Sequence, residues 1–559
     1  MRLLLAAARY RLGLPAPRCR TAQTTQWTAL SDGTRLATLV VRPVDRMQPR
    51  APSVLVRTAH AVDAPALRLS AHLVAQQGYA VVVQSCRGRS RSEGRFEPFV
   101  HEARDGAEAV EWVARQAWFD GRLALAGAGY AGYAAWAACA AEAVSAVVVG
   151  FAARDPYAWL HAGGALRLDL ALQLSVGLGE SEFVAPQRLD LARAVRHRPV
   201  READRVALRR SDAYRSWIDH PERDAFWDAL CPALPPRSAP TLIIAGWHEP
   251  ALLAQLADHA ALGAVSQLRG GAPPELVIGP WAPHRRARGW REREDASSPA
   301  SALRAVLSFL DRHLRGSSES SAPVRVYVRG ARRWREAPAW PPPGAEERSF
   351  HLCGEARGHD SARGGCLAER PPEGEEPPDR FVYDPADAVP SCGVAALCAP
   401  AGTHDPREIA RRGDVLCYTS EPLLADLEIA GPVRAVLFAA SDAPDTDFTA
   451  KLVEVAEDGS ITHLCEGIVR CRARAAGVWL APDRVERLEI DLGATSCKLR
   501  AGQRLRVEIS SSSFPRFDRN PNTRAEPARA TEADLATARQ RVFHDAQRPS
   551  HITLRVLPC

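Results

Sequence analysis

No stretch of this 559-residue sequence is apolar for the roughly 20 residues that a membrane-crossing helix needs. At the N-terminus, Leu3 to Ala8 behind Arg2 imitate a secretory signal but are cut off by Arg9 and Arg11 too early, so a cytoplasmic protein with no membrane partner is expected. Lysine is almost missing as well. Lys451 and Lys498 are the only two, and arginine carries the rest of the positive charge. Those arginines are interspersed with aspartate and glutamate, and the formal net charge is only +6, so no basic face for nucleic acid is implied. C-x-x-C pairs are absent too. The thirteen cysteines are an odd number spread from Cys19 to Cys559 with no Cys/His cluster at zinc spacing, which leaves metal binding without support and fits free, small core thiols.

What is present suits two or three packed domains: 46% of residues are hydrophobic and 25% charged. The chain is organised around residues 123 to 137, LALAGAGYAGYAAWA. Leu123 to Ala126 form a short apolar run of the kind buried in a parallel sheet, Gly127, Gly129 and Gly132 permit a sharp turn, and the alanine-rich run from Tyr133 suits a helix. Two sites are built this way. One is the nucleophile elbow G-x-S-x-G, where a strained turn lifts a serine above the sheet. The other is the dinucleotide fingerprint G-x-G-x-x-G, which the three glycines match letter for letter.

In chain order, residues 27 to 43 alternate around Asp32-Gly33 and predict a hairpin. Buried strands are predicted at Ser53 to Arg57, Tyr79 to Gln84, Leu123 to Ala126, Ala146 to Val149, Thr241 to Ala245 and Leu276 to Ile278, with helical patterns between most of them. Such alternation argues for a mostly parallel sheet with helices on both faces. Residues 154 to 236 change to helical spacing without strands, as in an insertion roofing a site at the strands' carboxyl ends. Beyond the linker candidate SSESSA after Gly316, short β-rich runs dominate, from Val324 to Val328 through Ile552 to Leu557, and predict an all-β domain. The expected organisation is therefore an N-terminal extension at 1–26, an α/β core at 27–153 and 237–316, a helical cap at 154–236 and a β-sandwich at 317–559.

Several segments resemble one known family. They are CRGRSRSEGRF at 86 to 96, QAWFDG at 116 to 121, GYAG at 129 to 132, HPERDAFW at 220 to 227, AGWHE at 245 to 249, GPW at 279 to 281, YTSEPL at 418 to 423, SDAPDTDFTAKLV at 441 to 453, SSSSFPRFDRNPNT at 510 to 523 and HDAQRPSH at 544 to 551. With these the chain resembles the cocaine esterase and X-Pro dipeptidyl-peptidase-like group of α/β-hydrolases, serine enzymes that cleave esters or amides through an acyl-enzyme. The resemblance implies an α/β-hydrolase core, a helical cap and a C-terminal jelly-roll domain of the galactose-binding-like type. It also implies that the glycines are an elbow, not a dinucleotide site, so no cofactor is expected.

The same resemblance exposes departures. The family's turn reads G-x-S-Y-x-G; here Gly129 stands in the serine's slot, and no Ser, Thr or Cys lies within the turn to replace it. The acid position, usually aspartate in G-W-x-D, is Glu249. The histidine that follows G-P-W-x in the family is represented by Pro283, with His284 one residue later. His60 stands where the family has an oxyanion-binding tyrosine, which leaves the Tyr130 backbone N–H as the retained oxyanion donor. Three expectations compete: a family member that has lost serine catalysis, a non-covalent acid-base enzyme using His284 and Glu249 with His60 or His248 as partner acid, and a binding or scaffolding protein. Each residue also has a plainer role open to it. His60 and His248 can be wall histidines bonded to backbone, Glu249 can pair with Arg285 or Arg286, and the cap aromatics Tyr157, Trp159, Trp217, Phe226 and Trp227 can be core. The ligand class implied is a small acyl or peptide-like molecule, and the fold allows a homodimer.

Overall fold

The computed structural model describes residues 2–44, 50–178, 189–234, 239–281, 299–354, 364–392, 405–474 and 478–558. The first sheet uses β1 (Arg20–Ala29), β2 (Arg35–Val44), β3 (Ala51–Thr58), β4 (Ala80–Ser85), β5 (Phe119–Ala128) and β6 (Val144–Gly150). A short cap hairpin, β7 (His161–Ala162) and β8 (Ala165–Leu166), interrupts it, and β9 (Thr241–Gly246), β10 (Glu275–Gly279), β11 (Val324–Val328) and β12 (Arg333–Ala337) complete it. Its order is β1-β2-β4-β3-β5-β6-β9-β10-β11-β12. From β4 through β11 neighbouring strands are parallel.

Consecutive residues of the central strands serve opposite faces. Val54, Val81 and Val148 pack with the helices Pro65–Ala75 and Pro299–Arg315, while Leu55, Val82 and Val149 pack with Glu102–Ala114 and Tyr130–Ala138. A strand covered on both sides has no polar face, which explains the uninterrupted apolar runs in the sequence. The predicted hairpin is longer than expected. It pairs Arg20–Ala29 with Arg35–Val44, so residues 20–26 belong to the sheet and not to an extension.

The step into the β domain also differs from expectation. Val324–Val328 lies parallel to β10, and Arg333–Ala337 pairs back on it. SSESSA is thus the loop of one more helix-to-strand unit after the helix Pro299–Arg315, and the chain leaves the first sheet only after Ala337. Composition misled here because VRVYV reads the same in either kind of sheet.

Later strands form an eleven-stranded, mostly antiparallel network around a core that includes Phe350, Tyr418, Ile429, Leu452 and Leu505. The cap is helical apart from β7 and β8, whose turn is pressed onto the β domain. A side chain at Gly163 would come within 1.9 Å of the Ile468 carbonyl, and the Arg470 N–H donates to the Gly163 carbonyl at 2.8 Å. Alongside, Asp518 and Leu166 exchange two hydrogen bonds, and the buried Arg470 guanidinium bridges Asp447 and Asp518. Cap and β domain are locked together at this point. The described cysteines are all unbridged.

Candidate active site

The turn between β5 and the helix Tyr130–Ala138 has the backbone of an elbow. Gly129 is its pivot, with φ +58° and ψ −130°, and its N–H donates to the Gly150 carbonyl on β6 at 2.9 Å. The flanking glycines are required by space. A Cβ at Gly127 would lie 2.1 Å from the Ala131 carbonyl oxygen, and one at Gly132 would lie 2.7 Å from the Ala152 Cβ. Gly129 is different: a Cβ there meets nothing within 4 Å. Its glycine relieves a left-handed backbone, and the space above it is open. The first helical residue, Tyr130, has no intrahelical acceptor for its N–H, the property that makes an oxyanion donor. Its hydroxyl is committed elsewhere, donating to Glu102 Oε1 at 2.5 Å and accepting from the Phe99 N–H at 2.9 Å in the core.

His60 follows β3, which pairs in parallel with β5, so His60 and Gly129 leave adjoining strands at the same end of the sheet. Its ring is half-buried, and burial together with the nearby Arg89 lowers its basicity. The His60 backbone is fixed by Thr58 Oγ1, which accepts from its N–H, and by Ser85 Oγ, which donates to its carbonyl.

Glu249 follows β9, two strands across from β5 and so about 10 Å away at the usual strand spacing. The loop that carries it is stitched to the end of β10. Trp247 N–H donates to the Gly279 carbonyl and His248 N–H to the Trp281 carbonyl, while a side chain at Gly246 would lie 2.5 Å from that Trp281 oxygen. Burial pushes the Glu249 carboxyl up to about 7. His248 turns toward the β domain. Its Nε2 lies 3.5 Å from Arg329 Nη1, and burial, with Arg329 next, drives its basicity well down. His284, Pro283, Arg285 and Arg286 lie outside the described residues, which stop at Trp281 and resume at Pro299.

The cap aromatics are mainly core. Trp159, Trp217 and Trp227 are buried, and Trp227 Nε1 donates to the His220 carbonyl. Trp217 and Phe226 also border a separate, mostly apolar cleft with Phe96 and Leu230. Three residues that the sequence did not single out, Arg167, His463 and Arg516, meet Glu249 and His248 around one cleft. They come from the cap and from two remote parts of the β domain, so spacing gave no signal for them. Arg516 lies inside the SSSSFPRFDRNPNT segment, a pointer only to the β domain. Among the described residues no group of three or more His, Cys, Asp or Glu could hold a metal ion, and no helix is long and apolar enough to cross a membrane.

Comparison with known proteins agrees with this architecture. The model for X-Pro dipeptidyl-peptidase (S15 family) matches residues 32–284, and that for the X-Pro dipeptidyl-peptidase C-terminal non-catalytic domain matches 316–553. Cocaine esterase of Rhodococcus sp. (strain MB1 Bresler) is 34% identical over 517 residues, covering 86% of this chain and 89% of that protein. The chain belongs to the X-Pro dipeptidyl-peptidase family. A putative serine esterase of Mycobacterium bovis is 26% identical, with 79% of each chain covered. Among solved structures, an aminopeptidase from a Thaumarchaeota archaeon superposes with TM-score 0.82 at 24% identity, covering 97% of this chain and 98% of that one. An alpha-amino acid ester hydrolase gives 0.81 at 23%, again covering 97% and 98%. Both share the fold of this X-Pro dipeptidyl-peptidase family member: an α/β-hydrolase domain with a cap, followed by an all-β domain. Within that family the chain is an esterase- or peptidase-like hydrolase by descent.

Proposed function

We propose that this chain is an acyl ester or amide hydrolase family member in which Gly129 occupies the nucleophile's place, so that no serine acyl-enzyme forms. The observation that carries this is the Gly129 pivot, an elbow backbone at φ +58° with room for a side chain and no hydroxyl, thiol or amine to attack a carbonyl. The ligand is a small acyl or peptide-like molecule, and the Tyr130 N–H is the surviving oxyanion donor.

A second function rests on Glu249. A carboxyl raised to about 7 exchanges its proton near neutral pH, which suits general acid-base work on water or on a substrate proton, with His284 as its partner. His60, which follows β3 beside the elbow strand β5, then supplies the second polar group. A purely binding protein is the third, and it differs from the first in gaining no acyl burst from Gly129→Ser.

The test is hydrolysis of activated acyl esters and X-Pro anilides by the wild type and by Gly129→Ser, with intact-mass detection of acyl adducts. The expected result is no adduct on the wild type and a burst with a serine adduct on Gly129→Ser. An acyl adduct on the wild type refutes the proposal. Adduct-free turnover by the wild type that disappears in His284→Ala selects the acid-base function.

A further inference from the structure

A cleft of about 580 Å³, its open mouth included, lies where core, cap and β domain meet. Trp247, Glu249 and Leu253 line it from the core, Arg167 from the cap, and His463, Arg516 and Phe517 from the β domain. Arg167 is 5% exposed. Its Nε is buried with no hydrogen-bond partner, and no described residue accepts a hydrogen bond from the rest of its guanidinium. Among the other buried arginines, Arg87 is matched by Asp105 at 2.8 Å, Arg215 by Asp204 at 3.0 Å and Arg470 by Asp447 at 2.9 Å, while Arg329 and Arg519 donate to backbone carbonyls.

Two carboxylates act on Arg167, Asp169 first and Glu466 after it; Asp169 Oδ1 accepts from the Leu170 N–H at 2.6 Å. Glu466 is paired with Arg516, accepts from Ser513 Oγ at 3.1 Å and has Lys451 Nζ at 4.0 Å. Burial first, then repulsion from Arg516, pushes the Arg167 basicity down to about 9, against the weaker opposing pull of Asp169 and Glu466. Two guanidinium groups share one aromatic ring here, with Arg167 Cζ 6.0 Å and Arg516 Cζ 5.4 Å from the Phe517 centroid. Neither ring nitrogen of His463 has a hydrogen-bond partner. An unpaired cation so deeply buried is expensive unless a ligand completes it, and a planar guanidinium matches a carboxylate with two parallel hydrogen bonds. Leu252, Leu253, Leu464 and Leu492 with Trp247 and Phe517 supply the apolar part of the wall, and Glu466 and Asp491 line it as well, so an anion must sit on the arginine side. Glu249, largely protonated below about pH 7 because of its burial, does not repel an anion there.

We propose that Arg167, supported by Arg516 and His463, forms a carboxylate-recognition subsite, so that the molecule taken up beside Glu249 has an apolar body and a free carboxylate group. This deepens the acyl-ligand function above and rests on it for the place of Glu249 in the site.

The test is calorimetric titration of the full chain at pH 6.5 with benzoate, neutral benzamide and inorganic phosphate, alongside thermal melting. The wild type is expected to bind benzoate at least tenfold more tightly than benzamide or phosphate. Arg167→Met is expected to weaken benzoate at least tenfold and, without ligand, to melt at a higher temperature than the wild type. Arg167→Lys, which keeps the charge and loses the fork, should fall between. Equal binding of benzoate and benzamide, tighter phosphate binding, unchanged benzoate affinity in Arg167→Met, or a lowered melting temperature in both variants overturns the proposal. Binding is read here without turnover. A wild type that ignores benzoate while Gly129→Ser gains its burst removes the subsite and leaves the hydrolase-family function standing.

Discussion

Replacing Glu249 by glutamine tests whether the acid of this site stands alone. Its carboxyl rises from an ordinary 4.5 to about 7 through burial. A raised value means the folded chain holds a proton that the unfolded chain has already released between these two pH values. Stability from this group is therefore intact below about pH 4.5 and is lost as pH climbs toward 7. At about 1.4 kcal/mol for each pH unit, the full loss by pH 8 is roughly 3 kcal/mol. Glu249→Gln keeps the shape and cannot ionise. Urea unfolding of the two proteins at pH 4.5 and pH 8 should show the variant gaining roughly 3 kcal/mol on the wild type across that interval, with little difference at the acid end. Parallel pH curves for the two proteins would refute the reasoning. They would mean that Glu249 is ionised when folded and is held beside a cation, the arrangement of an intact acid-histidine pair, and His284→Ala would then be the variant to lose stability.

Two further perturbations separate backbone from packing. Gly127→Ala should cost at least about 3 kcal/mol, since its Cβ collides with the Ala131 carbonyl, whereas Gly129→Ala should cost about 1–2 kcal/mol from its left-handed backbone alone; urea unfolding that gives the reverse order would contradict the elbow geometry. Arg470→Met leaves Asp447 and Asp518 buried without their cation and should destabilise the clasp between cap and β domain by about 3–5 kcal/mol. Because that pair is buried, thermal melting should show the same loss at low and high salt, and a loss that fades with salt would place it at the surface instead.

Much of the core was legible because its signals are local. Leu123 to Ala126, the three glycines and the alanine run specify strand, turn and helix within fifteen residues, and the structure places Phe119–Ala128 and Tyr130–Ala138 there. Partnership between strands was not local. Nothing in VRVYV says whether it completes one sheet or opens the next, and only pairing with Leu276–Ile278 decides it. The cleft was illegible for the same reason. Arg167 and Arg516 are separated by most of the chain, and what distinguishes Arg167 from Arg87, Arg215 and Arg470 is the lack of a carboxylate partner, a property of the fold and not of the sequence. Glu249 was found by its motif, but its burial, which sets its proton affinity, depends on elements contributed from both halves.

The elbow and the cleft bear differently on whether the site still works. Retention of the turn is weak support for function, because Gly127 and Gly132 are fixed by contacts of 2.1 and 2.7 Å that the fold needs in any case. Position 129 is free of such contacts, so a glycine there costs the fold nothing and even relieves its backbone. Arg167 stands the other way. An unmatched buried guanidinium weakens the folded state, and substitution by a neutral side chain of similar length is an easy stabilising change. A cleft with no ligand has no reason to hold that charge. If Arg167→Met stabilises the apo chain while abolishing carboxylate binding, ligand recognition has outlived serine chemistry in this protein. Were the same variant to destabilise the chain, Arg167 would be an ordinary structural residue, and Gly129 would mark the decay of the whole site.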